Sequence, residues 1–184
     1  MVCCMQTIDI EAVEVVELWR SAGAQRWFGK NRAFDESFRR RFLHLHERAA
    51  AGELESWGQA PESALALLVL LDQFPRNAFR GTARMYATDE LARSYARQAV
   101  ERGFDERVDG ELRLFFYLPF AHSEHLEDQR HSLNLHQRIG YLGNARRHHD
   151  IILRFGRFPH RNPILGRAMK PDEQAFLDAG GFAG

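Results

Sequence analysis

Residues 61–81 read PESALALLVLLDQFPRNAFRG, and this stretch decides the fold. Pro61 suits the first turn of a helix, and the run ALALLVLL at 64–71 is apolar on every side. A helix that is apolar all round must be enclosed by other helices. Asp72 and Gln73 close the run, and Pro75 predicts that the helix stops there, because it lacks an N–H and clashes with the preceding turn. At eight residues, the run is far short of the roughly 20 that a membrane span requires.

The flanking segments repeat at helical period. Thr7 is placed to cap a first helix through about Ser21, with Val13, Val16 and Trp19 on one stripe and Gly23 past its end. AQRWFGKNRAF reads as a loop whose two aromatics plug the core. Asp35 is placed to cap a second helix, in which Phe38, Phe42, Leu45 and Ala49 fall on one face up to Gly52. Thr88 heads DELARSYARQAVER. GELRLFFYL reads as a helix kinked at Pro119, which HSEHLEDQRHSLNLHQRI continues to Gly140. NARRHHDIILRF closes at Gly156, and PDEQAFLDA is a short last helix. No window alternates at period two. The expected class is all-α: a single domain over 1–184 built from seven or eight short helices.

With 184 residues, 45% of them hydrophobic, the chain can bury a full core. Its 25 basic residues balance 25 acidic ones, which excludes the clustered positive charge of a nucleic-acid footprint. Among the basic residues only Lys30 and Lys170 are lysines; the rest are arginines, whose planar forks suit carboxylate and phosphate groups. Cys3 and Cys4 are adjacent, and so unable to staple a fold, and with no leader segment in view they predict a reducing, cytoplasmic setting without membrane contact.

Chemistry concentrates at two echoing corners. Phe74-Pro75-Arg76-Asn77 is followed by Gly81, and Phe158-Pro159-His160-Arg161-Asn162 by Gly166. Phe anchors a helix exit, Pro blocks further winding, and Asn tolerates left-handed backbone. These roles do not account for the surplus arginines. Either the arginines cap helix-end carbonyls and pair with Asp72, Asp128 or Asp150, or the two corners face one another across a cleft, which predicts a ligand site made of Arg76, Asn77, Arg80, Arg157, His160, Arg161 and Asn162. His122 and Glu124 join it from a facing helix. Asp72 closes an apolar helix and should be buried in an ion pair, with Arg76 the leading partner and Arg154 or Arg161 next, since a lone buried charge costs several kcal/mol.

On a helix, His122 and His125 would share a face, as would Glu124 and Asp128, and His148, His149 and Asp150 could complete a zinc set. The His-Glu-x-x-His spacing is missing, so no metal is expected. No nucleophile elbow, phosphate loop or dinucleotide fingerprint is present, so no cofactor is expected either.

RWFGKNRAFD, LLDQFPRNAFRGTARMYATD, FFYLPFAHSE with Gln129, and DIILRFGRFPHRNPILGR together resemble the bacterial family known as domain of unknown function 924, over about residues 27–177. The resemblance implies an all-α fold similar to tetratricopeptide-repeat proteins and carries no established activity. His125, AMKPDE and ELWRSAG depart from the family pattern. Three functions follow as expectations: a cleft for a small anionic ligand, a peptide- or protein-binding scaffold, or a hydrolase with His122 or His149 as general base. Nothing in the sequence bears on oligomeric state.

Overall fold

A computed structural model describes residues 9–184. Thr7 and both cysteines lie outside these residues. Helix α1 (Ile10–Ala22) is capped by Asp9, whose Oδ1 accepts from the Glu11 and Ala12 amides at 3.0 and 3.4 Å. Gly23, at φ +69°, turns the chain into the short α2 (Ala24–Trp27). Helix α3 (Arg32–Ala50) is capped by Asn31, which accepts from the Phe34 amide, and not by Asp35. Asp35 lies in the first turn of α3 and pairs with Arg80 instead. Its apolar stripe Phe38, Phe42, Leu45 and Ala49 is buried as expected. Of the two loop aromatics only Trp27 plugs the core; Phe28 is 55% exposed.

The central rod departs from the sequence reading. Helix α4 (Pro61–Leu68) does not end at Asp72. It passes through a π-helical turn (Val69–Gln73) straight into α5 (Phe74–Ala78), with Pro75 inside the helix. Phe74 even takes helical angles (φ −54°, ψ −50°), a conformation disfavoured before proline. The reason lies in the carbonyls. In the wide turn the Phe74 amide bonds back to the Val69 carbonyl. His46 Nδ1 donates to the Leu70 carbonyl at 2.9 Å, Thr88 Oγ1 to Leu71 at 2.5 Å, and Arg76 to Asp72 at 2.7 Å. Leu71 carries the carbonyl that the residue at 75 would normally use, and a side chain from elsewhere satisfies it. Pro75 therefore leaves no buried acceptor unpaired.

Around this rod pack α1, α3, α6 (Asp89–Glu101) and the 3₁₀ stretch Leu112–Phe116. The rod is apolar on all sides because each side faces an element. Leu112–Phe116 runs into α7 (Leu118–Ala121), so Pro119 sits in a helix first turn rather than at a kink. α8 (Leu126–Arg138) begins afresh, packs on α9 (Leu142–Phe155), and α10 (Pro171–Asp178) follows. Because α7 ends at Ala121, His122 and His125 lie in the intervening turn and share no helix face. Among the described residues no group of three or more His, Cys, Asp or Glu is placed to hold a metal. There is no strand among them, and no helix is long and apolar enough to cross a membrane. A small second core of Ile151, Ile152 and Phe158, flanked by Phe155, Phe176 and Phe182, fixes the C-terminal part against α9.

Candidate functional site

The rod and the second corner converge on one cavity of about 360 Å³. α5 and its exit bring Arg76, Asn77 and Arg80; the turn after α7 brings His122; α9 brings His148; the 3₁₀ turn Pro159–Arg161 brings His160 and Arg161. Trp27, Phe28, Met85, Tyr86, Phe158 and Phe182 form the apolar walls. The second corner arrives by a true helix stop. Gly156 takes the left-handed conformation (φ +71°) at the end of α9, and Phe158 is extended before Pro159.

Asp72, 1% exposed, is the electrostatic floor of the site. It accepts from Gln73 Nε2 at 2.6 Å and His122 Nδ1 at 2.8 Å, and lies 3.1 Å from the Arg76 guanidinium. Burial raises the pKa of its carboxyl, but Arg76, His122 and Gln73 more than offset that and hold it at about 2. Arg76 also grips Asp89 with both terminal nitrogens, at 2.8 and 3.0 Å. Since ionised Asp72 only accepts, it fixes the hydrogen of His122 on Nδ1 and leaves the Nε2 lone pair free. Burial, and then Arg76, push the His122 pKa below that of an ordinary histidine, so the ring is neutral at pH 7.

Arg161 is 7% exposed and incompletely satisfied. One terminal nitrogen donates to the His122 carbonyl at 2.9 Å; the other reaches Asp89 at 3.4 Å. Its guanidinium lies between the Tyr86 and Phe158 rings, 4.4 and 4.6 Å from their centroids. Burial and Arg76 lower its pKa from the usual arginine value, yet it remains charged. Seven buried side-chain nitrogens or oxygens have no hydrogen-bond partner among the described residues. Four belong to this lining: Asn77 Nδ2, His148 Nδ1, His160 Nδ1 and Arg161 Nε. Buried polar atoms are normally paired, so this concentration marks a place where an acceptor is missing.

The family model described as "Bacterial protein of unknown function (DUF924)" matches residues 15–181. The chain belongs to this family. A solved structure described as a protein of unknown function, ATU0120 from Agrobacterium tumefaciens, is 51% identical, with a TM-score of 0.91 over 92% of this chain and 98% of that one. No protein of curated function matches.

In this DUF924 chain, six of the nine expected ligand residues line the cavity: Arg76, Asn77, Arg80, His122, His160 and Arg161. Glu124, Arg157 and Asn162 do not, because other groups hold them. Glu124 accepts from Arg167 at 2.8 Å and from the Phe158 amide at 2.9 Å. Arg157 pairs with buried Glu173 at 2.6 Å, and Asn162 Nδ2 donates to the same carboxylate at 3.0 Å. These three brace the second corner. Asp72 is buried and paired with Arg76 as expected; His122 and Gln73, not Arg154 or Arg161, complete its shell. His149, the other candidate base, sits on Asp150 and is not part of the lining. Sequence reasoning offered His148 only as a zinc ligand and passed over Tyr86, Asp89 and Phe182. Asp89 is the first residue of α6, and no local signal ties it to Arg76, 13 residues earlier.

Proposed function

We infer that the cavity binds a small anionic ligand carried on a flat apolar body. One observation carries this reading: Arg161 Nε and Asn77 Nδ2, donors from the two separate corners, are buried, unpartnered and in the same lining. A carboxylate or phosphate oxygen in the cavity would supply the acceptor they lack once the two side chains turn these closed-off nitrogens toward it. The aromatic walls suit a planar group beside the anion. A peptide scaffold would call for a continuous apolar groove. The exposed large apolar side chains among the described residues are Ile10, Phe28, Tyr141 and Leu153; Phe28 and Tyr141 share one pocket, but Ile10 and Leu153 are not part of it, so the four do not make a continuous groove.

Thermal unfolding with inorganic phosphate and with benzoate tests the reading. A ligand at 100 times its Kd adds about 2.7 kcal/mol, a readily measured rise in Tm. Asn77→Asp is the matched variant: it keeps the oxygen that accepts from Arg80 at 3.0 Å but replaces the free donor with a negative charge. The ligand-dependent rise should disappear in this variant. No rise with either anion, or an undiminished rise in Asn77→Asp, would overturn the proposal.

A further inference from the structure

We propose that the same cavity is a hydrolytic centre in which His122, oriented by Asp72, takes a proton from a water molecule attacking a carboxylic ester. This deepens the binding reading and rests on it, because the donors that hold an anion are the ones that would stabilise the reaction's oxyanion.

The geometry points this way for three reasons. First, Asp72 does for His122 what a buried carboxylate does for a catalytic imidazole. The 2.8 Å contact fixes the tautomer, and Gln73 and Arg76 hold the carboxylate itself still. The remaining nitrogen, Nε2, has no protein partner among the described residues, and His122 lines the cavity. Simple structural support for Asp72 does not call for a titratable ring there, since a second amide like Gln73 would donate equally well.

Second, the orphan donors Arg161 Nε and Asn77 Nδ2 are of the kind that stabilise an oxyanion. They come from the two separate corners, and turning both toward one oxygen in the cavity would complete an oxyanion site. Third, among the described residues no Ser, Thr or Cys lines the cavity. The Tyr86 phenol is kept protonated chiefly by burial, so it offers no nucleophile at neutral pH. Water is the nucleophile left.

His122 Nε2 accepts one proton from water as the water oxygen bonds to the acyl carbon. The carbonyl π pair moves onto oxygen, where the two donors, turned toward it, would stabilise the charge. When that pair returns, the bond from acyl carbon to leaving oxygen breaks. The proton on Nε2 passes to the leaving oxygen, so an acid and an alcohol depart and the histidine is again neutral. The preferred substrate is an ester with a planar aromatic part, matched to the walls.

The experiment is steady-state hydrolysis of p-nitrophenyl acetate, p-nitrophenyl benzoate and phenyl acetate by the full chain and by His122→Gln. Wild type should turn over with saturation, and the variant should lose about 100-fold or more in kcat/KM, the usual contribution of a positioned base. The wild-type rate should rise with pH to a plateau, with its midpoint below that of an ordinary histidine. The groups facing His122 that set this midpoint are Asp72 and Arg76 of the rod, Asp89 of α6, His136 of α8, His148 of α9, and His160 of the second corner.

Asp72 is a positioning residue, and Asp72→Asn should both lower the plateau and move the midpoint to lower pH, which a merely structural role would not do. A far-ultraviolet spectrum and a thermal melt confirm that each variant is folded. If wild type turns over no ester faster than His122→Gln does, the hydrolytic inference is overturned. If benzoate still raises the Tm in that case, the binding reading stands. His122-dependent turnover without any anion-induced rise would overturn the binding reading instead.

Discussion

The two corners share a phrase, Phe-Pro followed by Arg-Asn, and fold it differently. In the first, the helix runs through the proline; in the second, it has already stopped at Gly156, two residues before Phe158. Phe74 is helical before its proline, Phe158 extended before its own. Proline therefore does not decide the outcome. What decides it is whether another element arrives to take the carbonyl that proline leaves over. The Thr88 hydroxyl does so in the first corner, whereas the left-handed glycine makes that help unnecessary in the second. The corners differ in charge as well. The first keeps its buried acid ionised by surrounding it with donors, whereas at the second the half-buried His160 and the buried His148 of the adjoining α9 are held neutral, with no hydrogen-bond partner for either Nδ1 among the described residues.

The largest test of this contrast is Asp72→Ala, which removes the acceptor shared by Gln73, Arg76 and His122. Breaking a buried pair costs about 3–5 kcal/mol, and the low end is expected because Arg76 retains Asp89. Urea unfolding measures it, and a loss below about 1 kcal/mol, the size of an exposed pair, would show that the first corner is not held by charge.

Acid separates the corners next. Burial, with His122, Arg161 and His160 adding to it, holds His148 at about 3, and burial with Arg161 holds His160 at about 4. Both lie below the unfolded value of about 6.5, so the unfolded chain binds more protons and stability falls as pH drops below that point. For His148 alone the loss at pH 5 is about 2 kcal/mol. Asp72 contributes its own loss only lower, from about pH 4 down toward 2. His148→Phe should flatten the upper window of stability against pH and leave the lower one. A slope unchanged in that variant would assign the upper window to other groups.

Smaller effects probe the backbone. Thr88→Val strands the Leu71 carbonyl and should cost about 1–2 kcal/mol, the penalty for a buried acceptor without a donor. If it costs nothing, the account of how the helix passes Pro75 is wrong. Gly156→Ala places a Cβ in a left-handed conformation and should cost about 1 kcal/mol by thermal melting, with no effect on the first corner.

The helical class, the stripe on α3, the stop at Gly156 and the Asp72–Arg76 pair were legible because each follows from spacing or from one residue's chemistry. The passage through Pro75 was not, since it depends on His46 and Thr88, donors 24 and 17 residues away from the carbonyls they satisfy. For the same reason sequence could name arginines and asparagines at the corners without separating the facing set from the bracing set. Arg161 and Arg157 stand four residues apart in similar company, yet Glu173 holds only Arg157. Which arginine an acid reaches is decided by the packing of α10, and nothing local encodes it.

The π-helical turn also makes the site a matter of chain length. A five-residue hydrogen-bonded step accommodates one residue more than an α-helix would, and at 3.6 residues per turn one residue is about 100° of rotation. Everything after Gln73 is swung by that angle relative to α4. Deleting a single residue between Val69 and Leu71 would leave Arg76, Asn77 and Arg80 in the chain unchanged, yet a straightened helix would aim them about a quarter-turn away from the cavity. The first corner is thus addressed by a count of residues as well as by their identities.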